Sequence, residues 1–168
     1  CRVLRLSRRS EYGIIAVTHL AMRRGEAVSV REIAERYGIP RRLLAEVMKD
    51  LVHQGLVRSV RGAAGGYRLA TDPKSTSVRD VLAALEGPFE LALCTGDPSR
   101  HLDGTCELLS CCPIRGSVHR IHERIHDVLA GVTLAEIVAP APTPISLAPE
   151  LVPAAPTSAA APTPSSRC

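Results

Sequence analysis

The stretch IPRRLLAEVMKDLVHQGLVRSVRGAAGGYRLA, residues 39 to 70, decides the fold. Pro40 is a residue favoured at helix starts, and the apolar residues after it recur at helical spacing. They predict one buried stripe made of Leu43, Leu44, Val47, Met48, Leu51 and Val52. Gly55 ends this helix. Two β-prone arms follow, LVRSV and YRLA, around a turn that contains Gly62, Gly65 and Gly66, and this pattern predicts a hairpin.

Two further helices are predicted upstream of Pro40. SEYGIIAVTHLAMRR opens with Ser10, a favoured N-cap residue, and VSVREIAERYG ends at Gly38. The second of these and the helix after Pro40 are joined by a tight turn that contains glycine, which predicts a helix-turn-helix with a wing. The second helix of such a motif lies in the major groove of DNA, where each base pair shows a distinct pattern.

The charge distribution also favours a polyanion as partner. The net charge is only +4, but residues 1–70 hold 14 Lys and Arg against 6 Asp and Glu, whereas residues 71–168 hold 7 against 11. Charged side chains off the apolar stripe and at the wing tip are the candidate DNA contacts, and these are Arg41, Arg42, Glu46, Lys49 and Arg61. Ordinary solvated charges would give the same pattern, but the helix-turn-helix context favours DNA contact.

Composition restricts the class of protein. The 168 residues include one Phe and no Trp, so Leu, Ile, Val and Ala must form a mostly helical core. No apolar run approaches the ~20 residues of a membrane span, and no secretory signal is evident. We therefore expect a soluble cytoplasmic protein with no membrane partner, in a compartment where clustered cysteines bind metals or sense redox change.

The C-terminal half is predicted to mediate dimerisation. VRDVLAALE, residues 78 to 86, forms a short helix, and IRGSVHRIHERIHDVLAGV forms a long one with a narrow apolar seam that is typical of pairing with a second copy. From Ala139 the chain is rich in Pro, Ala, Ser and Thr, which predicts a disordered tail. We expect a DNA-binding region at 4–71, a cysteine segment and dimerisation helix at 72–138, and a tail at 139–168.

Four of the six cysteines lie in CTGDPSRHLDGTCELLSCCPIR, residues 94 to 115. A metal or cluster site, a disulfide framework, a catalytic thiol and a chance cluster are the alternatives. The CxxC pairs usual for structural zinc are missing, and no base or pocket for catalysis is evident, so an enzyme is not expected. Histidines are further candidate ligands: His101 in this segment, and a stripe of His119, His122 and His126 that either binds zinc or edges the dimer interface.

Several stretches resemble the Rrf2 superfamily of bacterial winged-helix regulators, which has IscR-like, NsrR-like and RirA-like members. They are LRLSRRSEYGI, VRGAAGGYRLA, the CPIR end of the cysteine segment and TLAEIV, within residues 4 to 138. The resemblance implies a homodimeric transcription factor. Its affinity for a double-stranded DNA operator would depend on a bound [2Fe-2S] or [4Fe-4S] cluster that responds to redox poise, nitric oxide or iron supply.

The resemblance also implies the cluster ligands. The three cysteine ligands of the family carry over onto Cys94, Cys106 and Cys112, although the gap between the first two is longer here than is usual. Cys111, beside the last ligand, is expected to be a bystander or a thiol that pairs when the cluster is lost. IscR-like members place a fourth ligand, histidine, where this chain has Arg115. NsrR-like members use a carboxylate from the partner subunit, and the matching residue is Glu11.

Glu11 has another role open to it, since a carboxylate in a first helical turn stabilises the helix end. Two alternative functions also remain. One is a winged-helix transcription factor switched by zinc or by thiol chemistry, without iron. The other is an iron–sulfur carrier or electron-transfer protein, which would leave the basic winged helix without a purpose.

Overall fold

The computed structural model describes residues 6–62, 65–96, 106, 108 and 111–139. In this part of the chain the helices are α1 Arg8–Met22, α2 Val30–Tyr37, α3 Arg41–His53, α4 Val78–Glu86, α5 Arg115–Gly131 and α6 Leu134–Val138. A short 3-10 helix spans Leu93–Thr95, and strands β1 Val57–Val60 and β2 Gly66–Leu69 pair antiparallel. The mainly α fold with a winged helix-turn-helix and a long C-terminal helix is confirmed. The expected tail lies outside the described residues.

Helix ends follow the local sequence, with one correction. α2 begins after Ser29, whose side chain accepts a hydrogen bond from the Glu32 N–H, and ends at Gly38 in the left-handed conformation (φ 65°, ψ 27°). The prediction that Ser10 caps α1 is wrong. Ser7 is the cap, and its Oγ accepts from the Ser10 N–H at 3.0 Å. Both residues are serines three positions apart, so the sequence alone did not distinguish cap from first turn.

One core unites the helix-turn-helix with the helices after it. Its buried members come from every helix except α5, from β1 and from the loops on either side of α2: Ala16, Val17, Leu20, Val28, Ile33, Ala34, Ile39, Leu44, Val47, Met48, Leu51, Val57, Val81, Leu85 and Leu134. α1 packs against α3, α4 and α6, and α4 packs against both α3 and α5. α4 therefore lies between the helix-turn-helix and the long helix.

Leu43 is not part of this core, contrary to the predicted stripe. It is 46% exposed, whereas the next residue, Leu44, is fully buried. Residues advance by about 100° along a helix, so Leu43 lies at one edge of the face centred on the four buried residues of α3. No neighbouring element within the described residues covers that edge, and Leu43 stands beside the charged side chains of α3.

Candidate DNA-binding surface and thiol site

The four charged residues predicted on α3 lie together on its exposed side. Arg41, Arg42, Glu46 and Lys49 are all exposed, opposite the buried face. The Arg42 side chain is 92% exposed, and its Nε lies 3.6 Å from Glu46 Oε1, one turn along the helix. α3 thus presents a row of polar groups that can donate to or accept from base edges and phosphates.

A buried histidine holds the first helix of the motif against α1. His19 is 3% exposed, and its Nδ1 lies 3.0 Å from the Tyr37 hydroxyl at the end of α2. The two rings meet edge to face, with centroids 5.5 Å apart. Burial lowers the pKa of His19, and nearby Arg36 lowers it further, while Glu32 opposes the shift. His19 is therefore a neutral anchor for α2, which in turn supports α3.

The wing carries two arginines, Arg58 and Arg68, in addition to the predicted contact Arg61. β1 and β2 pair with Arg58 directly opposite Arg68, and Arg61 is exposed at the end of β1. Like charges at facing positions of a hairpin repel, and Arg68 Nε is a buried atom with no hydrogen-bond partner among the described residues. A bound anion would relieve both costs. The two arms of the hairpin contain both arginines in the sequence, but only the strand register shows that the two residues face each other.

A backbone contact fixes the wing to the helices. Val28, in the loop before α2, exchanges hydrogen bonds with Tyr67 of β2 at 2.8 and 3.0 Å. A side chain on Gly66 would meet the Val28 carbonyl at 2.5 Å, so this close approach requires glycine. This contact explains Gly66 and orients the hairpin relative to α2.

The three predicted cysteine ligands are free and partly buried. Cys94 lies in the 3-10 helix, Cys106 lies in the loop, and Cys112 precedes α5, where its carbonyl accepts from the Arg115 N–H at 3.4 Å. The 3-10 helix packs against α5. The segment therefore places two of the thiols at positions adjoining the same helix.

The donor chemistry fits an iron–sulfur cluster, because three free thiols can supply the soft thiolate ligands that such clusters require. Across the described ranges, however, no three His, Cys, Asp or Glu side chains are gathered closely enough to hold a metal ion. The ligand types are therefore present, and the described part of a single chain does not assemble them.

The other predicted ligands are distributed around this segment. Glu11 lies in the first turn of α1, and its Oε2 is 3.4 Å from Arg8 Nη1. His101 lies outside the described residues. His122 and His126 lie on α5, half-buried, with ring centroids 6.3 Å apart. Among the described residues, Glu11 is not part of any group of three or more possible metal ligands.

The long helix α5 is unusual in having no buried residue. Val118, Ile125 and Leu129 are half-buried, whereas Ile114, Ile121 and Val128 are 60, 50 and 59% exposed. The exposed three recur every seven residues, which places them in one line along the helix. This line is an apolar seam with no cover in the described part of the chain. None of the described helices is both long and apolar enough to cross a membrane.

One contact made just before the cysteine segment was not predicted from the sequence. Phe89, the single phenylalanine of the chain, stacks on His122 of α5 with centroids 5.6 Å apart and ring planes 6° apart. It follows Gly87 and Pro88 directly after α4. An isolated aromatic residue in a turn before a cysteine cluster was the only sequence signal for it.

Comparisons with known proteins agree with this architecture. The profile of the Rrf2 family, described as iron-dependent transcriptional regulators, matches residues 6–140. The transcriptional regulator IscR of Vibrio cholerae is 31% identical over 136 residues, which are 80% of this chain and 75% of IscR.

Two solved structures are also similar. CymR, the global cysteine regulator of B. subtilis, has a TM-score of 0.65 at 27% identity, covering 81% of this chain and 97% of CymR. IscR of T. potens has a TM-score of 0.62 at 31% identity, covering 80% of this chain and 86% of that structure.

Proposed function

The chain belongs to the Rrf2 family of transcriptional regulators, and we propose that it senses an iron–sulfur cluster and binds its DNA operator as a homodimer with an affinity set by the state of that cluster. The matched relatives are regulators, which confirms the expectation that the chain is not an enzyme. The observation that carries the proposal is the combination of a basic recognition surface with three free thiols, two of which adjoin α5.

The DNA-binding surface consists of α3 and the wing. The N-terminal half of α3 enters the major groove, where Arg41 and Arg42 meet base edges or phosphates and Glu46 accepts from a base edge, while Lys49 meets the backbone. Arg61 and the facing pair Arg58 and Arg68 contact phosphate from the wing. Because its partner is chromosomal DNA, we expect the protein in the cytoplasm.

A second copy covers the exposed seam of α5. Ile114, Ile121 and Val128 form one apolar line, and pairing it with the same line of another copy removes it from water. Two-fold pairing sets the distance between two α3 helices. Half-sites one helical turn of DNA apart tolerate little change in that distance, so a small shift at α5 alters operator affinity.

Cys94, Cys106 and Cys112 would hold the cluster, with Glu11 of the second copy as the fourth ligand. An oxygen ligand leaves one iron more open to exchange than a fourth thiolate would. When bound, the cluster supplies a group that reacts to redox poise, nitric oxide or iron supply. The residues of the chain then do the rest: the thiolates fix the segment from Cys94 to Cys112 relative to α5.

A thiol-switched regulator without iron is the second candidate function. Two observations favour it: no metal site is assembled in the described part of the chain, and the similar structure CymR is described as a cysteine regulator. In this case a peroxide would take two electrons and two protons from a pair of these thiols and be reduced to water or alcohol, and the disulfide that forms would alter the position of the segment.

Anaerobic purification separates the two candidates. We expect a brown protein with stoichiometric iron and sulfide in the wild type, little of either in Cys112→Ser, and a cluster of altered absorbance in Glu11→Ala. Glu35→Ala, an exposed carboxylate on α2, is the matched control and keeps the wild-type spectrum. A colourless wild-type protein that still binds DNA would contradict the cluster and leave the thiol switch.

A further inference from the structure

The proposed function leaves open how the cysteine segment influences α3, and contacts around one aromatic residue supply an answer. We propose that Phe89 is a positioning residue that couples the cluster state to operator affinity through its stack on His122. The proposal rests on the proposed function and adds the contact by which that function is regulated.

The first step runs from Cys94 to Phe89 through a compact turn. Thr95 Oγ1 accepts hydrogen bonds from the N–H groups of Leu91 and Ala92, both at 3.1 Å, and donates to the Ala92 carbonyl at 2.8 Å. Gly96 approaches so closely that a side chain there would overlap the Glu90 carboxylate. Because this turn is tied to itself, a displacement of Cys94 moves Phe89 with it.

The second step is the stack itself. The Phe89 and His122 rings are nearly parallel, 5.6 Å apart. His122 Nδ1 is buried and has no hydrogen-bond partner within the described ranges. No hydrogen bond at that nitrogen holds the imidazole, and the stack on Phe89 contributes to orienting the ring.

The surroundings of Phe89 make its position adjustable. Phe89 lines two cavities at once. One, of about 460 Å³, is mostly apolar and reaches Leu6 and Leu129. The other, of about 320 Å³, reaches Thr95 and His126. A side chain packed tightly on all sides would resist movement, whereas a ring between two open spaces can follow the segment.

The last step leads from α5 to α3 through α4. His126, one turn beyond His122, lies with its Nε2 3.4 Å from Arg79 Nη1 of α4. At the other end of α4, Leu85 packs over the bare Cα of Gly13, where a side chain would overlap it and lie 3.5 Å from Val47 of α3. Leu85 and Val47 belong to the same buried core, so α4 transmits a shift of α5 to the recognition helix.

The test compares the operator affinities of cluster-loaded and apo protein for four full-length proteins: wild type, Phe89→Leu, Phe89→Tyr and His122→Ala. The probe is an operator selected from a random duplex library with the anaerobically purified wild type. We expect a ratio of about tenfold or more for the wild type, within the range of allosteric coupling, and a ratio within about twofold for Phe89→Leu and His122→Ala. Phe89→Tyr retains the ring and restores the wild-type ratio.

Each outcome decides the proposal. Phe89→Leu and His122→Ala must keep the wild-type iron and sulfide content and visible spectrum while the affinity ratio falls. An unchanged ratio in either variant would overturn the proposal, as would failure of both variants to load a cluster, since Phe89 would then serve only the cluster site. A wild type with no difference in affinity between the two states would instead refute the proposed function.

Discussion

The helix-turn-helix differs from the cysteine segment and α5 in how much of its apolar surface it buries within the chain. α1, α2 and α3 bury their apolar faces within one chain, and Leu44, Met48 and Leu51 have no exposed surface. α5 buries no residue and leaves an apolar seam exposed. The first region is complete in a single chain, whereas the second, with its seam exposed, is incomplete in the described part of the chain. Regions with few buried contacts are those that move most readily in response to a signal.

The largest expected effect is on the complete region. Leu44→Ala removes a fully buried side chain and leaves a cavity, so we expect the free energy of unfolding to fall by about 2–5 kcal/mol. Chemical denaturation followed by circular dichroism measures this. Leu43→Ala, the neighbouring exposed leucine, is the matched control and should change it by less than about 1 kcal/mol. Equal losses would mean that Leu43 is covered after all.

The second effect is on the incomplete region. Ile121→Asp places a charge in the seam of α5, so we expect the dimer to dissociate at concentrations about 30-fold higher or more, from a loss of about 2 kcal/mol of apolar burial plus the cost of the charge. Sedimentation over a concentration series measures the shift. Glu123→Ala, on the same helix, leaves it unchanged. A monomeric wild type would contradict the seam as an interface.

The wing gives a third, smaller effect with opposite signs for folding and binding. Arg58→Gln removes one of two facing like charges, so we expect stability to stay the same or rise slightly, while operator binding weakens across all sequences. The dependence of log affinity on log salt should lose about one unit of slope if Arg58 contacts a phosphate. Fluorescence anisotropy at several salt concentrations measures it, with Lys74→Gln as control.

A fourth effect follows from His19. Its pKa is lowered by burial, so the unfolded chain binds a proton that the folded chain rejects as the pH falls below the ordinary value of 6.5. The contribution of neutral His19 to stability is complete above that pH and declines below it. When the pH is lowered from 7.5 to below 6.5, we expect the wild type to lose more stability than His19→Gln in denaturant titrations. Parallel losses in both proteins would exclude this role.

The smallest effect is at the surface of α2. Arg31 and Glu35 form an ion pair at 2.7 Å, but the two side chains are 70 and 66% exposed. Solvent screening reduces such pairs to fractions of a kcal/mol, so Glu35→Gln should change the free energy of unfolding by less than about 0.5 kcal/mol. A larger loss would show that the pair is ordered more strongly than its exposure indicates.

The two regions also differ in how much of their structure could be predicted from the sequence. The helices and the wing were predictable because amphipathic spacing and turn residues encode them locally, and α4 and α5 were confirmed on that basis. Leu43 was misassigned because periodicity defines a stripe but not which of its edges a neighbour covers. The facing of Arg58 and Arg68 depends on strand register, which the alternation alone did not fix.

The thiol site was predictable only in its residue types. The segment around Cys106 has no period, and the resemblance to a family, rather than any local pattern, selected the three cysteines. The stack of Phe89 on His122 joins residues 33 positions apart on different elements, and no spacing rule connects them. The sequence therefore encodes the helix-turn-helix and the wing locally and leaves the cysteine segment to tertiary contacts.

The most direct test of the account is the operator affinity of one preparation measured twice under anaerobic conditions, first with its cluster and then after the cluster has been removed and the thiols kept reduced. If the cysteine segment controls DNA binding, the two affinities differ by about tenfold or more. Equal affinities on every selected operator would contradict the claim that the cysteine segment controls DNA binding.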